Sequence, residues 1–266
     1  MELRLAVKSA TADPAHWLRS LEQLPPGFTG LSLDCPYPLP DISPHVIRAL
    51  RAWRAEHALS YFIHTPVGRV QLGALDPDLR QASLAEGGRA IELAAQVGAR
   101  LITVHPTPSA ACWPGCASEV KELEHQALQR LCVAAAAQGV TVALENMPPG
   151  DAFPASCSDF SGFWSLLEQI PSLGVTLDVG HAHVARVPLA DIVQRLGRRL
   201  HHIHVHDNDG TADQHRPVGH GTVDWRALLA ALGDIGYAGF LELEFAGYAA
   251  HVAAARFLRS LSGRRG

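Results

Sequence analysis

Eight short apolar runs recur along the chain at intervals that leave room for one helix each, and that rhythm restricts the possible folds more than any other feature. The runs are LRLAV (3–7), GLSLD (30–34), LSYFIH (59–64), RLITVH (100–105), VTVALE (140–145), GVTLD (174–178), HHIHVH (201–206) and FLELEF (240–245). Each is rich in β-branched and large apolar residues, and breakers flank it. Near-continuous hydrophobicity suits parallel strands covered on both faces. The intervening stretches carry apolar positions three and four apart, as in 78–99 and 118–139. Asp13-Pro14, Ser43-Pro44 and Asp76-Pro77 read as capped helix starts, and Gly98 and Gly139 as helix ends. Later helices are expected at about 160–169, 189–196, 225–234 and 249–261. Eight βα units without an internal linker predict an α/β fold, a single-domain (β/α)8 TIM barrel over residues 1–266. The chain has 266 residues, a size at which such a barrel commonly forms one domain.

The six runs from the third onward finish on histidine or carboxylate. They end at His64, at His105, at Glu145, at Asp178 followed by His181, at His204 to Asp207, and at Glu242 and Glu244. In a barrel of parallel strands these ends share the C-terminal rim, where active sites of this architecture lie. A carboxylate at the end of a buried strand is costly unless a cation or metal pairs with it. The alternation of HHIHVHD places His202, His204 and His206 on one face, with His204 deep enough to bind a metal and His206 and Asp207 further out toward substrate. His201 and His202 lie at the strand start and read as structural. Of the two strand-eight carboxylates, Glu244 lies nearer the rim and is the chosen ligand. The stretch DGTADQHRPVGHGTVDW adds Asp213 and His215, followed by Gly219-His220-Gly221, which permits close backbone approach.

The candidate metal ligands are therefore His64, His105, Glu145, Asp178, His181, His204, Asp213, His215 and Glu244. Nine ligands suit two or three ions rather than one. The mixture of imidazole and carboxylate favours zinc, then manganese or iron, over magnesium or calcium. The net charge of −4 carries no global signature for nucleic acid or anionic membrane. No run approaches a membrane span, and the opening residues lack a signal-peptide layout. Five cysteines (Cys35, Cys112, Cys116, Cys132, Cys157) are then expected as reduced thiols in the cytoplasm, with the pair Cys112 and Cys116 as loop residues.

Taken together and in order, IHTP, VHP, LEN, LDVGHAHVA, HVHDN, DQHRPVGHGTVDW and GYAGFLELE resemble the xylose isomerase-like TIM-barrel superfamily, which includes endonuclease IV-type AP endonucleases and sugar phosphate isomerases and epimerases. The endonuclease pattern implies one zinc on His64, His105 and Glu145. It implies a second on Glu145, Asp178, His204 and Glu244, and a third on His181, Asp213 and His215. The isomerase pattern implies a single ion on Glu145, Asp178, His204 and Glu244, usually manganese or a similar ion, with His181 against substrate.

The full set of nine leads to the expectation of a phosphoester or phosphodiester hydrolase acting on a small sugar-phosphate-containing substrate, with Glu145, Glu244 and His181 catalytic. The alternative is a single-metal sugar or sugar-phosphate isomerase or epimerase in which Glu145 and Glu244 move protons. Substrate contacts are expected from His206, Asp207 and Arg216. Action on abasic DNA ranks below both, because LAVKSATAD and TPVGRVQLG lack the DNA-contacting segments of the repair enzymes.

Overall fold

A computed structural model describes residues 2–109 and 115–263. Eight strands, β1 (Arg4–Lys8), β2 (Gly30–Asp34), β3 (Ser60–His64), β4 (Leu101–Val104), β5 (Thr141–Glu145), β6 (Gly174–Asp178), β7 (Leu200–Val205) and β8 (Phe240–Leu243), pair in chain order and close on themselves. Every pair is parallel, and β1 against β8 completes the barrel with Arg4 opposite Phe240 and Val7 opposite Leu243. The predicted (β/α)8 barrel is thus the observed fold, with strand ends displaced by no more than two residues from the apolar runs.

The helices are α1 (Trp17–Glu22), α2 (Pro44–His57), α3 (Pro77–Val97), α4 (Ala117–Ala136), α5 (Ala155–Ser158), α6 (Ser161–Gln169), α7 (Val179–Val184), α8 (Leu189–Leu196), α9 (Trp225–Asp234) and α10 (Tyr248–Ser262). The expected caps operate. Ser43 accepts from His45 N–H, and Asp76 from the N–H groups of Asp78 and Leu79, with proline at the first helical position in each case. Gly98 ends α3 in the left-handed region at φ 78°. Two short helices carry no clear periodic signal. One is α5; the other, α7, starts directly after β6 because Asp178 itself caps it, accepting from His181 N–H at 2.7 Å.

Period-two alternation along the strands sorts the side chains. Leu5, Leu31, Tyr61, Ile63, Ile102, Leu144, Leu177 and Ile203 belong to the large core shared with the helices. Inside the barrel, Ala6, Phe62, Leu101, Ala143 and Phe240 form a separate apolar layer toward the N-terminal mouth. Gly30 makes room for it, since a Cβ there would lie 2.7 Å from Ala6 Cβ and 2.8 Å from the Phe240 ring. The interior also holds a polar set, including the Thr103–Thr176 hydroxyl pair at 2.9 Å and the His202–Glu242 pair at 2.7 Å. The C-terminal mouth carries the titratable ring described below.

Cys35, Cys132 and Cys157 are buried free thiols. Cys116 is disulfide-bonded, contrary to the expectation of a reduced thiol, and Cys112 lies outside the described residues. Among the described residues no helix is long and apolar enough to cross a membrane.

Candidate active site

All eight strands, not six, deliver a polar group to the C-terminal rim. The two that sequence reading missed are Lys8 and Asp34, at the ends of β1 and β2. Lys8 Nζ lies 3.4 Å from Asp34 Oδ1 and 3.3 Å from Glu244 Oε1, so it bridges the first two strands to the last. Asp34 Oδ1 is also 2.8 Å from His64 Nδ1. Their signal was present: each follows an apolar run, as the six recognised ends do. A lysine and an aspartate at a strand end resemble ordinary solvated residues, and only barrel closure brings them inward.

The nine expected ligands do converge. Glu145 Oε2 is 3.6 Å from His64 Nε2 and 3.0 Å from His105 Nε2, while its Oε1 is 3.1 Å from His204 Nδ1. His204 Nδ1 is in turn 3.5 Å from Glu244 Oε1. Suitable donor atoms of Glu145, Asp178, His204 and Glu244 all fall within 4.8 Å of one another, and all four residues are buried. Asp213 Oδ2 gathers His181 Nε2 at 3.3 Å and His215 Nε2 at 3.4 Å. His206 joins that second cluster, with Nε2 3.1 Å from Asp178 Oδ1 and its ring stacked on His215 at 3.8 Å between centroids.

Imidazole orientation repeats a pattern. Nδ1 of His64 bonds Asp34, Nδ1 of His181 donates to the Asn146 carbonyl at 2.9 Å, and Nδ1 of His215 donates to the Glu244 carbonyl at 2.7 Å. In each case Nε2 is left facing a carboxylate. Metal-binding histidines are held in this way, with the second nitrogen tied to a carbonyl or carboxylate. His204 is reversed: Nδ1 faces the site and Nε2 lies 3.8 Å from Glu242 Oε2.

Whether these residues fit a metal can be judged from what the protein leaves unsatisfied. Glu145 Oε2, Asp178 Oδ2 and Glu244 Oε1 are buried oxygens without an aligned hydrogen bond; His105 Nε2 and Lys8 Nζ approach the first and last within 3.3 Å but are not aligned to donate. Three converging orphan carboxylate oxygens beside an imidazole nitrogen match the donor set of a divalent ion. Without one, protons and the lysine balance the charge. Burial opposes the ionisation of Glu145, but the His204 charge and the close imidazoles of His105, His204 and His64 hold its carboxyl well below the usual range. Burial likewise opposes a charged His181, yet Asp178, Asp213 and Glu145 push it up to about 10. His64 rises to about 9 against burial and the Lys8 charge, through Asp34 and Glu145. A binding ion would displace such protons.

The three expected substrate contacts fare differently. His206 is fully buried against Gly180, where a Cβ would come within 2.0 Å of its Cε1 atom. Arg216 stands at the rim, half-exposed, with Nη2 2.8 Å from Asp209 Oδ2. Asp207 is engaged within the protein. Its two oxygens accept from the N–H groups of Asn208, Gly219 and Val223 and from Trp225 Nε1, at 2.9 to 3.2 Å, and it is fully buried. This carboxylate holds the 208–224 loop in shape, with Gly221 packed so close that a Cβ would lie 2.2 Å from Asp207 Oδ1. Glu242 sits one layer below Glu244, hydrogen-bonded to His202.

Comparison with known proteins places the chain. The model of the xylose isomerase-like TIM barrel matches residues 22–261. The chain belongs to this family. Among curated relatives, an uncharacterized protein of Methanocaldococcus jannaschii is 28% identical over 215 residues, covering 76% of this chain and 70% of its own. Fructoselysine 3-epimerase of Shigella flexneri is 25% identical over 244 residues, 86% of this chain and 84% of that one. In solved structures, a D-tagatose 3-epimerase-like protein superposes with a TM-score of 0.85 at 24% identity, covering 97% of both chains. L-ribulose 3-epimerase superposes at 0.80 with 16% identity, over 98% of this chain and 95% of that one. These two structural likenesses concern the fold. Curated relatives with an activity in their names are fructoselysine 3-epimerases, and this overturns the expectation of phosphoester hydrolysis drawn from the ligand count. The complete set of nine proved a poor discriminator, because His64, His181 and His215, beyond the four-residue group, each have a partner of their own within the protein.

Proposed function

We propose that the protein is a divalent-metal-dependent epimerase of a small ketose or ketose derivative. The observation that carries the reading is the placement of Glu145 and Glu244. They come from β5 and β8, both are buried, and both bring an oxygen to His204 Nδ1, at 3.1 and 3.5 Å. Two carboxylates approaching one centre from different strands are what inversion at a carbon beside a carbonyl requires. One takes the proton from the carbon, leaving an enediolate, and the other returns a proton to the opposite face. No net oxidation occurs and no group leaves.

The ion would be held by Glu145, Asp178, His204 and Glu244, and when bound it supplies Lewis acidity toward the substrate's carbonyl and hydroxyl oxygens. The residues around it do the rest. His105 and His64 steady Glu145 from the β3 and β4 side. Lys8 keeps a positive charge beside Glu244, because that carboxylate and Asp34 outweigh the burial that would otherwise lower its pKa. His181 Nε2 and Asp213 Oδ2 face each other at the rim and together offer polar groups toward a sugar hydroxyl, and Arg216 lies at the entrance. We assign the catalytic ion to the four-residue site and expect one tightly bound ion per chain, manganese or a similar ion in preference to zinc.

The test is incubation of metal-reconstituted protein with ketohexoses and ketopentoses in D2O. Deuterium should enter the carbon next to the carbonyl, and the epimeric ketose should accumulate. Absence of both exchange and epimer across the panel, with metal demonstrably bound, would overturn the proposal.

A further inference from the structure

The opposite mouth of the barrel holds a second concave site that the epimerase reading does not use. A cavity of about 430 Å³ opens there, lined by Arg4, Arg54, Arg100, Thr141, His201 and the aromatic pair Phe62 and Phe240, among others. Its lining contains three guanidinium groups and no carboxylate. Arg4, Ser60, Leu101, Thr141 and Phe240 each begin a strand, so the cavity sits at the N-terminal rim. From Arg4 to Lys8 along β1 is about 13 Å at the rise of a parallel strand, which separates the cavity from the titratable ring.

Two of the arginines are held in place. The Arg4 guanidinium lies over the Phe240 ring with Cζ 4.0 Å from the centroid, and its Nη1 donates to Ala238 O at 3.3 Å. Arg54 packs flat on Gly98: a Cβ there would stand 3.3 Å from its Cζ, Nε and Nη1 alike. Arg54 Nε is buried and has no hydrogen-bond partner. Among the described residues neither Arg54 nor Arg100 forms an ion pair. Three like charges brought to one concavity repel, and an unpaired buried guanidinium N–H costs the protein hydration it does not recover. A bound oxyanion relieves the repulsion, and guanidinium groups match phosphate oxygens in pairs. The floor of the cavity is the edge of the inner apolar layer, Phe62, Leu101 and Phe240. It favours a ligand with an apolar body over a bare ion, and the volume is that of a small-molecule pocket.

We propose that this N-terminal cavity binds a small organic phosphate, its phosphate against Arg4, Arg54 and Arg100 and its body over the Phe62–Phe240 floor. The assignment is independent of the epimerase reading. Isothermal titration of the metal-loaded protein with phenyl phosphate, and separately with inorganic phosphate, tests it. Phenyl phosphate should bind at least fivefold more tightly than inorganic phosphate. The double variant Arg54→Gln/Arg100→Gln should bind phenyl phosphate at least tenfold more weakly, while keeping ketose turnover and melting temperature. The Arg54→Lys/Arg100→Lys variant should fall between. A His181→Ala variant should bind it as the wild type does. Four results would overturn the proposal: no binding at millimolar ligand, equal affinity for both probes, unchanged affinity in the glutamine double variant, or loss of binding in His181→Ala. The first and third would show that the basic rim takes no phosphate, and the last that phosphate enters the metal-bearing mouth instead.

Discussion

Replacement of His202 by phenylalanine isolates a pair that lies beneath the candidate metal ligands and is as buried as any residue in the molecule. His202 Nε2 is 2.7 Å from Glu242 Oε2, both side chains have 0% exposure, and the imidazole packs on Phe62 with 4.3 Å between ring centroids. Burial depresses His202's proton affinity despite the Glu242 hydrogen bond, so the ring donates as a neutral imidazole. Phenylalanine fills the space and keeps the aromatic contact, but it leaves a carboxylate in the barrel interior without its donor. Such a loss costs about 3 kcal/mol, where the ranges for a charge-assisted hydrogen bond and a broken buried pair meet. For a chain of this size that corresponds to a fall in melting temperature of about 6–12 °C. Glu242→Leu should cost about the same, since it strands His202. The double variant removes both polar groups and should recover most of the loss, giving a coupling energy of about 2 kcal/mol or more in a double-mutant cycle. The measurement is urea denaturation of the metal-free protein, with the denaturant slope checked for constancy. If His202→Phe costs under about 1 kcal/mol, or if the two losses add, Glu242 is not a stranded partner and the reasoning fails.

Further outcomes follow from the same geometry. Glu145→Gln and Glu244→Gln should each reduce deuterium exchange into a ketose by about a thousandfold or more, measured by NMR; exchange retained in either variant would remove that residue from proton transfer. Dialysis against a chelator should abolish turnover, manganese should restore it, and metal analysis should find one ion per chain both in the wild type and in His64→Ala or His215→Ala; a second or third ion lost with those histidines would favour a polynuclear centre. Lys8→Met should lower turnover about tenfold while metal content stays constant, about 1.4 kcal/mol of transition-state stabilisation. Glu124 is buried, and burial raises its pKa despite the Thr107 N–H bonded to it at 2.6 Å. Its contribution to stability is therefore full below the ordinary glutamate range and declines as pH rises through the raised folded value. Glu124→Gln should be the more stable protein at neutral pH by chemical denaturation, with the gap closing in acid.

The barrel was legible because its evidence is local and repeated. Apolar runs such as VTVALE and GVTLD, and caps such as Ser43-Pro44, are set by short-range sterics and burial and need no knowledge of neighbours. His64, His105, Glu145 and Asp178 stood out for the same reason, each being a titratable group at the end of a buried strand. What stayed hidden depends on closure. Lys8 reaches Glu244 only when β1 meets β8, and Asp34 reaches His64 only when β2 and β3 fall into register. Asp207 was misread because HVHD looks like a run of outward-reaching polar groups. Its four donors come from residues up to 18 positions later, in a loop whose path no periodicity announces. The chemistry was misjudged on a different ground: ligand identity constrains which ions bind, whereas the reaction depends on which carboxylates are left to handle protons.

The Lys8–Glu244 contact has a consequence for the history of each molecule. The first strand of the barrel and the last supply adjacent members of one ring, and Glu244 is a member of the proposed ion site. A nascent chain carrying seven strands can shield most of its apolar surface, yet it would lack one of that ion's four holders until the eighth emerges and docks on the first. Tight uptake of the ion would then report a closed barrel, and chains that lack the eighth strand would be distinguishable by their weak hold on it.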